Sequence, residues 1–314
     1  MRSSETTPAP RVEIKPRNTD TEALFLGFLG VLIFSFTLPM TRLAAPEMGG
    51  LFVGLARALI GAILAGALLL FRRERFPERK YWRGIATVSL GCVVGFSSLT
   101  GLALQSVPSL HGVVIVGLLP AATALMGVLL TRERPKLAFW GWNLAGVCAI
   151  VTFAWLEGGG RLQPADGLLL LAVILAGLGY AEGARVARAL EGWRTISWAL
   201  VFAAPFLSVP VLLLASHGIH ADAPAWLGFA YVSVFSVFLG FFPWYRGLAL
   251  GGVTRVAPIQ MIQPMLSLIW SALILHEHLS ARVVIFGVLI TGIAWFTRQA
   301  AQARKVAVVA NPSP

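Results

Sequence analysis

The chain has 314 residues, of which 57% are hydrophobic and 12% charged, with a mean hydropathy of +0.78 and a formal net charge of +11. A soluble domain carries roughly 25% charged residues, so this composition excludes an ordinary water-soluble enzyme or binding module. Nucleic acid is also excluded as a partner, because the basic residues sit in short segments between apolar runs, where anionic lipid headgroups balance them.

Residues 1–21 mix four basic and three acidic side chains with three prolines. They lack the apolar core of a signal peptide and are expected to form a poorly ordered cytoplasmic tail. Long apolar runs follow. Arg83 to Arg132 encloses 48 residues without a charged side chain, and the intervals Arg194–Asp222, Asp222–Arg246 and Arg255–Glu277 enclose 27, 23 and 21 more. About 20 mostly apolar residues cross a bilayer as a helix. Backbone amides in hydrocarbon must bond within their own segment, so such runs are helical. Ten spans are predicted, at 23–42, 49–71, 84–104, 109–131, 137–156, 167–187, 195–215, 225–245, 253–275 and 283–299. The turn Gln105-Ser106-Val107-Pro108-Ser109 divides the longest run. Residues 300–314 are expected to be a second short cytoplasmic tail.

The chain repeats itself. Pro120 and Pro264 each precede a glutamate, Glu133 and Glu277, by thirteen residues, and Gly-Leu-Ala-Leu occurs at 101–104 and again at 247–250. One unit used twice places the first copy at 22–157 and the second at 166–299. Five spans per unit, an odd number, put the copies in opposite orientation. The fold class read from this is an all-α membrane protein, ten transmembrane helices arranged as two inverted five-helix repeats. Such duplicated units commonly build secondary transporters with the substrate site between the halves.

Lysine and arginine set the orientation. With the amino terminus in the cytoplasm, that side holds 21 of the 25 basic residues, six of them between Arg72 and Arg83. The opposite side holds Arg42, Arg161 and Arg282, and Arg57 lies within the second span. Both termini are therefore expected in the cytoplasm. Cys92 and Cys148 fall inside spans, where free thiols behave as small hydrophobes and no metal site is expected.

Ionisable groups inside spans are expensive and mark functional sites by default. Glu182, in Leu178-Gly179-Tyr180-Ala181-Glu182, lies fifteen residues past the predicted start of its helix, roughly 22 Å at 1.5 Å per residue. It reads either as a poorly solvated proton or cation site or as an ion-pair partner of Arg185 or Arg188. Tyr180, two residues earlier, is a candidate beside it. Arg57 lies about 12 Å below the outer surface on the same rise. Its guanidinium can hold a substrate carboxylate or serve structurally, snorkelling outward or bonding helix carbonyls. Gln260 and Gln263, three apart, share a helical face beside Pro264, where a missing backbone bond frees a carbonyl. They can line a polar site or join helices. Trp244, in Pro243-Trp244-Tyr245-Arg246, can hold an aromatic or cationic substrate, but an interfacial aromatic belt explains it more simply. Ser35, Thr37, Ser97, Ser98 and Thr100 read as hydroxyls bonded to local carbonyls. Gly91-x-x-x-Gly95 and Gly179-x-x-x-Gly183 read as close-packing faces. Glu133 and Glu277 read as helix caps. The histidines, His111, His217, His220, His276 and His278, gather near the outer face without a zinc spacing.

The repeated Pro-then-Glu hairpin, Arg57 in the second span and the two five-helix halves resemble the drug/metabolite transporter superfamily, in its EamA-type ten-helix branch, over about 22–299. Thr131-Arg132-Glu133 and Leu275-His276-Glu277-His278 depart from the usual Leu-Gly-Glu ending. Phe34-Ser35 stands where a Trp-Gly pair is often found. The resemblance implies a bacterial inner-membrane protein that exports amino acids or related metabolites by alternating access. Its driving force would be a proton gradient or the substrate gradient itself. Without a nucleophile–base pair or metal motif in any span, the sequence predicts a transporter and no cofactor. Its expected partners are a small-molecule substrate, the lipid bilayer and protons. Efflux of hydrophobic cations, with Glu182 as counter-ion, is the alternative.

Overall fold

The computed structural model describes residues 18–131, 137–216, 218–251 and 256–310. The expectations for Glu133, His217 and the outermost parts of both tails lie outside these residues. The described residues form helices joined by short connections, without a strand. Eight helices are long and apolar enough to cross a membrane: α1 (Thr21–Met48), α2 (Gly50–Phe71), α3 (Arg79–Leu104), α4 (Ser109–Leu130), α5 (Leu137–Glu157), α6 (Pro164–Leu190), α7 (Gly192–Ala215) and α8 (Ala223–Gly251). Two shorter apolar helices follow, α9 (Ile259–Leu275) and α10, whose apolar part is Ala281–Thr297.

Several boundaries differ from those read off hydropathy. Helix α3 starts at Arg79, so part of the basic cluster expected in a loop is helical. Helix α8 runs to Gly251 and carries the second Gly-Leu-Ala-Leu inside it. Helix α10 continues to Ala310, well past 299. Five of the eleven residues at 300–310 are Ala, the best helix former, a preference that hydropathy alone does not register.

The repeat is visible in the backbone. A π-helical stretch interrupts α3 at Ser89–Gly95, and another interrupts α8 at Val232–Leu239. Helix α4 breaks after Val116 and restarts as Leu119–Thr131. Helix α9 opens with a 3-10 segment, Ala257–Ile262, and continues as Gln263–Leu275. Both restarted segments have 13 residues and carry the repeated proline second. Pro264 thus begins an α-helix instead of interrupting one, the position where its missing N–H costs least. No mid-helix carbonyl is freed in the way the sequence implied.

Contacts fix the relative directions of the helices. Gly49, at φ 83°, turns α1 into α2, and Thr41 meets Arg57 across that turn. Gly50 and Gly54 of α2 abut Gly101 and Ser97 of α3, so α2 and α3 are antiparallel. A Cβ on Gly50 would come within 2.2 Å of the Gly101 carbonyl oxygen, an approach only glycine permits. Gly91 and Gly179 meet in the same way where α3 and α6 cross in opposite directions. Helix α1 packs antiparallel to α8 and parallel to α9; α6 packs antiparallel to α3 and parallel to α4. Helices α2 and α7 pair, as do α5 and α10. Two apolar cores result, one centred on α2, α7 and α8 and the other on α4, α6 and α10, and Tyr180 touches both.

Candidate functional site

A narrow cavity lies where the two cores meet. One water needs roughly 10–15 Å³ on the scale used for such spaces, and this cavity encloses about 30 Å³. It is closed down to a few waters. Its walls come from seven helices: Phe34 and Thr37 of α1, Arg57 of α2, Phe96 and Ser97 of α3, Val116 and Leu119 of α4, Tyr180 of α6, Ser236 and Phe241 of α8, and Gln263 of α9. The π-helical stretches of α3 and α8 contribute Cys92, Ser236 and Val237, in keeping with the frequent use of such distortions at functional sites. A second, smaller space adjoins it at the breaks of α4 and α9. Gln263 faces both spaces, and Gln260 faces the smaller.

Arg57 dominates the chemistry. It is 1% exposed, so it does not snorkel. Its guanidinium donates to Thr41 Oγ1 at 3.1 Å and to Thr100 Oγ1 at 3.0 Å. Each threonine gives its own proton to its helix, Thr41 to the Thr37 carbonyl at 2.7 Å and Thr100 to the Phe96 carbonyl at 2.6 Å. Their lone pairs are thereby turned toward the arginine. Arg57 Nε is buried without a partner. Among the described residues no carboxylate pairs with it. An uncompensated buried charge costs several kcal/mol, so the site calls for an anion.

The other candidates separate. Tyr180 lines the cavity, its ring 6.0 Å from that of Phe241. Gln263 Oε1 and Gln260 Nε2 are buried without partners. Trp244 is 2% exposed and lies behind the cavity, packed on Phe34 and Tyr180. The interfacial belt expected for Trp244 and Tyr245 is therefore replaced by burial. The reason is small residues opposite: Gly30 faces the Trp244 backbone, and Gly183 faces the Tyr245 hydroxyl.

Glu182 is not isolated. It lies outside the cavity wall, 7% exposed, with both carboxylate oxygens held by the Arg185 guanidinium, one at 3.0 Å from Nε. The Arg185 side chain is 58% exposed. This is the ion-pair alternative, reached because Glu182 turns toward Gly84 at the start of α3. Ser35 and Ser98 bond local carbonyls as expected, at 2.7 Å each, whereas Thr37 meets Ser236 across α1 and α8 at 2.8 Å. Cys92 and Cys148 are free.

One polar cluster escaped the sequence. His111 Nε2 meets Asp166 Oδ1 at 2.6 Å, joining α4 to α6, and Asp166 also accepts from the Gln163 amide. Beside it, Glu277 caps α4, accepting from Ser109 N and Leu110 N at 2.7 Å each, and not the helix that follows it in sequence. The acidic residue at the start of α6 was the only available signal for the first contact.

A buried cation at a narrow internal cavity, lined from both of two like halves of a multi-pass helical bundle, is the architecture of a membrane transporter. The chain belongs to the EamA-like transporter family, whose pattern matches twice, at residues 21–155 and 163–298. It is 44% identical over 273 residues to the uncharacterized transporter YdeK of Bacillus subtilis, covering 85% of this chain and 93% of that protein. It is 26% identical over 168 residues to an S-adenosylmethionine/S-adenosylhomocysteine transporter of Chlamydia muridarum, covering 50% and 52% of the two chains. A crystal structure with 21% identity matches in fold with a TM-score of 0.59, covering 91% of this chain and 99% of that one.

Proposed function

We propose that this protein is a secondary transporter that exports a small carboxylate-bearing metabolite, an amino acid or derivative, across a bacterial inner membrane. The observation that carries the reading is Arg57, a buried guanidinium at a cavity wall with only hydroxyl partners. A guanidinium fork suits a carboxylate.

The scaffold is two inverted five-helix repeats with both termini cytoplasmic. Three features support the inverted repeat, namely the paired π-stretches, the paired proline restarts and the helix directions, while the orientation rests on the distribution of lysine and arginine. Helix α1 is parallel to α3, and α3 is antiparallel to α6, so the first helix of one half opposes the first helix of the other. The mechanism is alternating access. One half tilts against the other and the closed-down cavity opens to each side in turn, driven by a proton gradient or by the substrate's own. Arg57, Tyr180 and Gln263 face the substrate, Gln260 lies next to it, Trp244 backs the wall, and Glu182 holds an ion pair away from it. Efflux of cationic drugs fits less well, since a buried arginine repels a cation and Glu182 is already neutralised by Arg185. Family membership also favours transport over membrane-embedded catalysis.

The experiment is a thermal-shift screen of the purified full chain against a metabolite library, followed by efflux of the hits from liposomes. Carboxylates should dominate the hits, and Arg57→Gln should lose them. Hits confined to cations, or wild-type transport by folded Arg57→Gln, would overturn the reading.

A further inference from the structure

The charge inside the cavity has a consequence for the amine of the substrate. Among the described residues Arg57 is the only charged side chain on the wall; the remaining polar groups there are hydroxyls, a thiol and the amide of Gln263. The two buried acidic side chains among the described residues are already engaged, Glu182 by Arg185 and Asp166 by His111. A ligand with one carboxylate and no other charge makes the loaded cavity neutral. A free amino acid brings an ammonium as well and leaves one uncompensated positive charge in a water-poor space, which is costly. Aromatic faces at Phe34, Phe96 and Phe241 attract cations, but they offset only part of the lost hydration.

Hydrogen-bond capacity gives the same answer. An ammonium has three N–H donors, while on the cavity wall, among the described residues, the one buried acceptor without a partner is Gln263 Oε1. A secondary amide has a single N–H to give, and its carbonyl needs one donor. Gln260 Nε2, in the adjoining space that Gln263 also faces, is a buried donor without a partner.

We infer that the substrate is a monoanion with a masked amine, best matched by an N-acylated amino acid: carboxylate on Arg57, amide N–H on Gln263, acyl oxygen toward Gln260, apolar body on the rings. This rests on the carboxylate reading above and narrows it.

The test is a matched set of probes across small, branched and aromatic side chains. Each set holds the free amino acid, its N-acetyl form, the corresponding 2-oxo acid and the amino-acid amide. Binding is read by thermal shift on the purified full chain and by counterflow in liposomes. The N-acetyl form should bind at least tenfold more tightly than the free amino acid, and the amide, a cation, should not bind. Gln263→Ala should erase the preference for the N-acetyl form over the 2-oxo acid. Free amino acids binding as tightly as their N-acetyl forms, with the binding lost in Arg57→Gln, would sink the masked-amine inference and leave the carboxylate reading standing. No binding in any set, or preference for the amide, would remove both. The wild-type ranking decides even where a variant fails to fold.

Discussion

His111 Nε2 lies 2.6 Å from Asp166 Oδ1, with both side chains buried, and this contact ties the first turn of α4 to the first turn of α6 across 55 residues of chain. Asp166 does two things at once. One oxygen takes the imidazole, and the other takes the Gln163 amide at 2.7 Å, which caps α6. Removing one partner of a buried pair is far more costly than removing one of an exposed pair.

That difference ranks two substitutions. Asp166→Ala leaves the buried His111 imidazole and the Gln163 amide without a partner and should destabilise the protein by about 3 kcal/mol, at about 1–3 kcal/mol for each buried group left unpaired. Glu182→Gln should cost about 1 kcal/mol or less, because Arg185 is largely in solvent and can rehydrate. Thermal and denaturant unfolding of the purified chain reads both. Glu182→Gln should also transport at the wild-type rate per folded molecule. The reverse order of stabilities, or a specific transport defect in Glu182→Gln, contradicts the assignments.

Glu277 offers a second stability test, because it caps a helix 167 residues away. Glu277→Ala leaves two amides at the start of α4 without their acceptors and should cost about 1–2 kcal/mol, the range for a lost cap. Glu277→Gln keeps one accepting oxygen and should cost roughly half as much. Equal losses in the two variants would mean that the carboxylate acts through its charge and not through the paired hydrogen bonds.

Close backbone contacts predict a sharp contrast between glycines. A Cβ at Gly101 would lie 2.2 Å from the Gly50 carbonyl oxygen, while one at Gly141 meets nothing within 4 Å. Gly101→Ala should therefore force α2 and α3 apart and lower the yield of folded protein. Gly141→Ala should match wild type in yield and melting temperature. A folded, wild-type-like Gly101→Ala protein would show that the α2–α3 contact is looser than described.

What the sequence made legible follows from the range of each signal. Apolar runs, the Pro120 and Pro264 repeats and the scarcity of Arg57 are local features, so they pointed to the helices, the duplication and a buried cation. Gly91 and Gly179 were readable as close-packing positions because nothing but glycine permits such an approach. Glu182 stayed open between a proton site and an ion pair with Arg185 or Arg188, because a count along a helix gives depth but not facing, and its facing puts Arg185 on it. Trp244 was assigned to the interface because burial depends on Gly30, over two hundred residues away. The His111–Asp166 and Glu277 contacts join residues from different halves of the repeat, and beyond an acidic residue at the start of α6 nothing in their own neighbourhoods announces them.

Orientation can be tested by single cysteines in a Cys148→Ser background, since Cys148 is exposed and Cys92 buried. Cysteines at Ser106 and Arg161, both exposed, should react with a membrane-impermeant reagent in intact cells. One at Arg75, in the basic segment after α2, should react only after permeabilisation, as the positive-inside rule requires. Labelling at Arg75 in intact cells would invert the topology.

The two glutamines of α9 should differ in the same assay that identifies a substrate. Gln263 faces both the main cavity and the smaller space, and its Oε1 is buried without a partner. Gln260 is 3% exposed but faces only the smaller space. Gln263→Ala should therefore weaken substrate binding about tenfold, the effect of losing a hydrogen bond worth about 1.4 kcal/mol. Gln260→Ala should weaken it by less. Neither atom has a protein partner to lose, so neither substitution leaves a new orphaned group. Both proteins should unfold within about 1 kcal/mol of wild type, since polar contacts between membrane helices average less than that. Binding by isothermal titration and unfolding on the same preparations separates a site effect from a folding effect. If Gln263→Ala binds substrate as tightly as wild type while Gln260→Ala does not, the polar end of the site lies at the break in α9 and not in the cavity beside Arg57.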